Sequence, residues 1–190
     1  MSDDIALGPG REFDIIRELL RRWGPRAMGI GDDGALVDVP AGERLVVSTD
    51  ASVEHIHFER AWLTAREIGY RATMAALSDL AAMAASPLGV FLALGLPASW
   101  LDSAGELGDG IGDALAAART IVRGGDITGA SDLTLAITVL GATTAPLRRD
   151  AARAGDVVYV TGRLGGPGDA LASWQRGAAP GAASRERFAR

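Results

Sequence analysis

Apolar residues near the start of the chain fall at Phe13, Ile16, Leu19, Leu20 and Trp23. Steps of three and four predict an amphipathic helix, which Gly24-Pro25 ends. The period then shortens. "ALVDVP" (35–40) and "RLVVSTD" (44–50) read as short strands, and the "AGE" between them reads as a tight hairpin turn. An alanine-rich helix is predicted from about Thr64 to Ala85, closed by Ser86-Pro87, followed by a third strand, "GVFLALGLP" (89–97). Residues 101–122 form a further helix, with Leu107, Ile111, Leu115 and Ala118 on one face. In "DLTLAITVLGAT" (132–143), Leu133, Leu135, Ile137 and Val139 alternate with Thr134, Ala136, Thr138 and Leu140, which predicts a fourth strand. "GDVVYVTGRLGG" (155–166) is read as a fifth strand, whose glycine loop opens a last helix near Asp169–Trp174. Residues 1–10 look like a loose leader, and 177–190 like a linker or frayed end. No internal repeat interrupts this order, which predicts an α+β fold: a mostly antiparallel sheet flanked by helices.

Composition narrows the function classes. Of 190 residues, 48% are hydrophobic, enough for a real core rather than disorder. The net charge of −5 has no basic cluster behind it, which argues against a nucleic-acid partner. The chain has no cysteine, so disulfides, zinc ribbons and thiol catalysis are excluded. The longest apolar run is broken by Asp79, Pro87 and Gly89, and "MSDDIALGPG" has neither a basic start nor an apolar core. A membrane span and a signal peptide are therefore not expected, and the predicted location is cytoplasmic.

The chemistry begins at "GIGDDG", where Gly29, Gly31 and Gly34 satisfy G-x-G-x-x-G. A dinucleotide loop needs a strand before it and a helix after it, so that pyrophosphate meets a helix N-terminus. Here a β-rich segment follows, and Asp32 and Asp33 would face the phosphates. The glycines are better read as letting a tight loop aim Asp33, with Asp32 beside it, at a metal. Asp79 stands in "RATMAALSDLAAMAAS" with no cation within a helical turn, a costly placement unless something compensates it or the helix turns it to solvent. Asp50 ends "VVSTD", and Asp126 follows a glycine pair in "RGGDITG". Any one of these has a local explanation in a turn or strand end. Taken together, carboxylates converging without basic partners require a hard divalent cation, and oxygen donors with Ser48 and Thr49 nearby point to Mg²⁺. His55 and His57 have strand spacing, but with no third nitrogen or sulfur ligand they do not make a metal pair. Trp23, Trp62, Trp100 and Trp174 are read as packing residues.

In the order "GIGDDGALV", "VVSTDASVEHIHF", "IGYRATMAALSDLAAMAASPLGVFLALGLP", "RGGDITGASDLTLAITVLG" and "RAGDVVYVTGRLG", the chain resembles the thiamine-monophosphate kinases of the aminoimidazole ribonucleotide synthase superfamily. The resemblance covers roughly residues 11–175. It implies an N-terminal metal- and ATP-binding domain at 11–150 and the start of a second domain at 151–176. It implies ATP- and Mg²⁺-dependent phosphorylation of thiamine phosphate to thiamine diphosphate by direct transfer. Asp33, Ser48, Thr49, Asp50, Asp79 and Asp126 fall on its metal positions, His57 on a substrate position, and Gly125, Asp126 and Arg149 on nucleotide positions. The family pairs such domains through their sheets, so a homodimer is implied.

Two departures stand out. Ile127 occupies the position of the usual threonine after "GGD", removing a hydroxyl beside the metal site. Family members also continue into a second α/β domain, so the 190-residue chain is expected to be a poor kinase alone. Another ATP-dependent synthetase of the superfamily and a non-catalytic dimerising remnant are the alternatives. The missing cysteine and the form of "STD…HIHF" count against the synthetases.

Overall fold

The computed structural model describes residues 10–27 and 29–190; the predicted leader lies almost wholly outside them. The chain divides into two compact units, one ending at Pro146 and the other running from Leu147 to Arg190.

In the first unit, helix α1 (Arg11–Trp23) follows the predicted period and buries Leu19 and Trp23. The arm 35–40 is not a strand: Leu36 is 95% exposed and the segment joins no ladder. The turn after it is real, with the Glu43 amide donating to Pro40 O and Gly42 at φ 83°. Strand β1 (Arg44–Val53) leaves this turn and pairs elsewhere, so the local hairpin signal is overridden by a long-range ladder. Helix α2 (Ala65–Ala82) starts at a reciprocal cap: Thr64 Oγ1 takes the Glu67 amide, and Glu67 takes the Thr64 amide. Strand β2 (Ser86–Leu96) and helix α3 (Ala104–Ala117) follow, separated by a short 3₁₀ segment. Strand β3 (Val122–Gly129) lies where the glycine pair reads as a turn, and β4 (Thr134–Thr143) closes the unit.

The sheet order is β1-β4-β2-β3. β4 is antiparallel to both β1 and β2, while β2 and β3 run parallel. The sheet is therefore mixed, with two of its three pairings antiparallel. One face carries Val90, Leu92, Leu94, Leu135, Ile137 and Val139, all buried under the helices. Among the described residues of the first unit, no helix lies on the other face, where Leu45 and Val47 are about half exposed. α2 packs on β1 and β4 and crosses α3, while α1 lies against α3 and β3. The α2–α3 crossing depends on missing side chains: a Cβ on Gly69 would strike Leu107 O, and one on Gly110 would strike Arg66 O.

β1 runs into a tight loop. His55 sits in the left-handed region at φ 67°, and its ring Nδ1 meets Glu59 at 2.9 Å. Glu54 is buried, accepting from Trp100 Nε1 at 2.7 Å and the Leu133 amide at 3.3 Å, while Arg60 stacks 4.2 Å from the Trp100 ring centre.

The second unit holds α4 (Gly166–Gln175) and α5 (Ala182–Ala189). Residues 155–166 form no strand, and Val157, Val158, Tyr159 and Leu164 are exposed. Apolar content alone makes no strand without a ladder partner. The predicted linker holds α5, because Phe188 packs edge-on to Trp174 with ring centres 5.0 Å apart and Ser184 bonds Asp169.

Two outcomes follow from these contacts. Gly110→Ala must push apart two backbones, so it is expected to destabilise the protein by about 1–3 kcal/mol, a drop of roughly 3–10 °C in thermal midpoint; an unchanged midpoint would refute the close crossing. Glu59, hydrogen-bonded to His55, raises the His55 pKa above its ordinary 6.5. The pair's stabilisation is fully present below about pH 6.5 and is lost as pH rises through the raised folded-state value. Hydrogen exchange of the 55–59 amides, compared between wild type and His55→Gln, is expected to differ in acid and to converge above that range.

Candidate functional site

Strand alternation sorts the predicted site residues. Ser48 and Asp50 are registered with buried Val139 and Ile137, so they share the helix-covered face. Thr49 is registered with Thr138 on the other face, and their hydroxyls lie 2.8 Å apart. A hydroxyl at Thr49 and a carboxylate at Asp50 therefore point to opposite sides of the sheet.

Asp79, on the exposed side of α2 near its end, finds its compensation across space. Ser48 Oγ donates to Asp79 Oδ2 at 2.5 Å. Asp50 lies two residues along the same face, about 7 Å from Ser48 along the strand, with Oδ1 accepting the Ala51 amide at 2.8 Å. Ser48 and Asp79 are thus joined at the β1 edge, with Asp50 following on the same strand face. Helical rotation toward solvent and the Ser48 hydroxyl donor both compensate the Asp79 carboxylate.

Asp33 and Asp126 are not gathered with them: among the described residues, no three acidic or histidine side chains meet as a ready metal cluster. Asp33 is exposed in its loop, where its own amide donates to Asp32 Oδ1 at 2.9 Å. Asp126 lies within β3, not in a turn. The row Asp50–Ile137–Leu92–Gly125 crosses the whole sheet, and Asp126 stands one residue beyond it. Three strand spacings separate the two edges, roughly 14 Å. Asp126 also pairs with Ala93, on the face without helices.

Gly125 has a structural reason of its own, since a Cβ there would meet Leu92 O and hold β3 away from β2. Ile127 is buried on the helix face, lining an open apolar groove with Ile16, Leu19, Leu20 and Trp23 of α1. A threonine hydroxyl at that position would face this groove rather than Asp126. His57 is exposed, its Nδ1 accepting the Val53 amide at 3.1 Å. Arg149 is exposed in the second unit, next to an Arg148–Asp150 ion pair of 3.0 Å.

Three contributors were not among the predicted site residues. Thr138 pairs with Thr49, Glu54 anchors the strand end that leads to His57, and Arg71 reaches from α2 to His57 O at 3.3 Å. Burial holds the Arg71 guanidinium below its ordinary pKa. Continuing the inward alternation Ser48, Asp50, Ser52 would have flagged Glu54; nothing local signals Arg71 or Thr138.

Comparison with known proteins adds a second line. The profile of the AIR synthase related protein N-terminal domain matches residues 31–143. A thiamine-monophosphate kinase of Synechococcus elongatus is 42% identical over 154 residues, covering 76% of this chain and 46% of that protein. The crystal structure of the thiamine-monophosphate kinase from Stenotrophomonas maltophilia K279a superposes with a TM-score of 0.78 at 35% identity, over 97% of this chain and 61% of that one. AaThiL complexed with AMPPCP and TMP superposes with a TM-score of 0.73 at 27% identity, over 94% and 57%. The chain spans about half the length of the curated relatives it matches. The matched profile begins in the glycine-aspartate loop and ends with β4, taking in more than half of the chain and the whole sheet, so the chain belongs to the AIR synthase related family and carries its N-terminal domain.

Proposed function

We propose that this chain is the N-terminal part of a cytoplasmic kinase that uses ATP and Mg²⁺ to phosphorylate thiamine phosphate to thiamine diphosphate, and that it works as a homodimer. The observation that carries the reading is the Ser48–Asp79 hydrogen bond, which draws a carboxylate of α2 onto the strand face that holds Asp50. Two carboxylates and a hydroxyl, all hard oxygen donors, fit a divalent cation of the Mg²⁺ type. The similar protein with AMPPCP and TMP supports the choice of substrates.

In this reading Asp50 and Asp79 hold Mg²⁺, and Ser48 fixes the direction of the Asp79 carboxylate. Bound Mg²⁺ supplies neutralisation of the triphosphate charge. The attacking oxygen belongs to thiamine phosphate itself, so no protein nucleophile is required. His57 contacts that substrate, Gly125 and Arg149 contact nucleotide, and the loop carrying Asp33 adds a carboxylate to the metal group.

Asp126 does not fit a cation shared with Asp50 inside one chain. A second copy gives it a different neighbour, Thr49. Strands β1 and β3 are both unpaired edges, and a two-fold pair that joins each β1 to the partner's β3 closes an eight-stranded barrel. Leu45, Val47, Phe91 and Leu140, on the face without helices, then fill its interior. The partner's Asp126 then comes within about one strand spacing, ~5 Å, of β1, on the side of the sheet that carries Thr49 and opposite to Asp50.

Calorimetric titration with AMPPCP is expected to show binding that disappears when Mg²⁺ is chelated, with Asp50→Asn and Asp79→Asn each weakening it about tenfold or more. Nucleotide binding indifferent to Mg²⁺ and to both substitutions would sink the assignment. Sedimentation is expected to give a dimer for the wild type and a monomer for Val47→Arg, which puts a charge into the barrel interior; a wild-type monomer at tens of micromolar, on the order of the concentrations used for such runs, would remove the composite site.

A further inference from the structure

The loop that follows β1 closes on itself through its own backbone. The amides of Ile56 and His57 both donate to Val53 O, at 3.2 and 2.8 Å, and the His55 amide donates to the carbonyl of buried Phe58 at 2.9 Å. The left-handed His55 makes the reversal possible. Two further bonds then fix His57. Its ring Nδ1 accepts the Val53 amide at 3.1 Å, and its carbonyl accepts Arg71 Nη1 at 3.3 Å. An amide N–H has only a proton to offer, so Nδ1 must present its lone pair.

We infer that His57 is held as the Nε2–H tautomer, with Arg71 as the positioning residue, and that it therefore meets its substrate as a hydrogen-bond donor to an acceptor atom. In neutral imidazole one nitrogen carries the proton and the other the lone pair, so the Val53 contact places the proton on the outward nitrogen. Nε2 then has no lone pair for a metal. His57 stands outside the Mg²⁺ group for an electronic reason, independent of distance. Its neighbour His55 differs: that ring turns Nδ1 to the Glu59 carboxylate, leaves the loop's backbone alone, and so fixes nothing beyond its own pair. Arg71 links the rigid α2 to the loop and is itself partly desolvated, so its bond to the His57 carbonyl sets where the ring stands as well as how it is protonated. The identity of the acceptor rests on the proposed function; the tautomer does not. In thiamine phosphate the acceptor is either a phosphate oxygen or an unprotonated ring nitrogen, and the two are separable.

Two-bond ¹H–¹⁵N correlation spectra of the uniformly labelled chain, at a pH where the ring is neutral, read the tautomer directly. The expected pattern is protonation at Nε2 alone in the wild type and in Arg71→Lys, and a mixture of tautomers in Arg71→Met. A wild-type Nδ1–H pattern, or an Arg71→Met spectrum identical to wild type, overturns the inference. Adding thiamine phosphate is expected to shift the His57 Nε2–H resonance; a matching shift with unphosphorylated thiamine assigns the acceptor to the ring, and its absence assigns it to phosphate. His57→Gln, whose amide nitrogen reaches about as far as Nε2, is expected to bind thiamine phosphate within about threefold of wild type, while His57→Ala loses about tenfold. Binding that leaves the Nε2–H unmoved, or equal losses in both variants, refutes the donor role while the kinase reading survives. Failure of thiamine phosphate to bind at all removes the donor role, whatever the tautomer, while the kinase reading is judged separately by the Mg²⁺-dependent AMPPCP titration.

Discussion

Strand β4 is the last element of the first unit to be made, yet it takes an interior place in the sheet, bonded along most of its length to β1 on one side and β2 on the other. Everything that positions the site depends on this insertion. It holds β1 and β2 mutually parallel with a strand between them, so the α2 crossover must span two spacings and lands over β1 and β4. That landing is what lets Asp79 receive Ser48. It also pushes β1 and β3 to opposite edges, and hence Asp50 and Asp126 far apart.

The helix layer reinforces the arrangement. Gly69 and Gly110 allow α2 and α3 to meet at backbone distance, and α2 and α1 lie on one sheet face, while Leu45 and Val47 on the other are about half exposed. The bare face is not uniformly apolar. Thr49 and Thr138 bond each other across β1 and β4 on that face.

Division of labour among the acidic residues follows from the same geometry. Asp79 is placed by its bond to Ser48 and Asp50 by its position two residues further along the same strand face, while Asp126 lies on the far edge strand and on the opposite face. Glu54, by contrast, is buried, and its Oε2 accepts from both Trp100 Nε1 and the Leu133 amide, so it anchors the end of β1 that leads into the His57 loop. A carboxylate count along the sequence does not separate these roles; the partners do.

The sequence by itself determined the helices α1, α2 and α3, the strands β1, β2 and β4, and the identity of the acidic residues, because hydrophobic period, caps and residue chemistry are local properties. It misjudged 35–40 and 155–166, where apolar residues have no ladder partner, and β3, whose glycines read as a turn but serve a close approach to β2. Only the tertiary structure decided which carboxylates meet. Strand order and pleat direction are set by pairings between residues up to about a hundred positions apart, such as Arg44 with Thr143, and no local pattern carries that information.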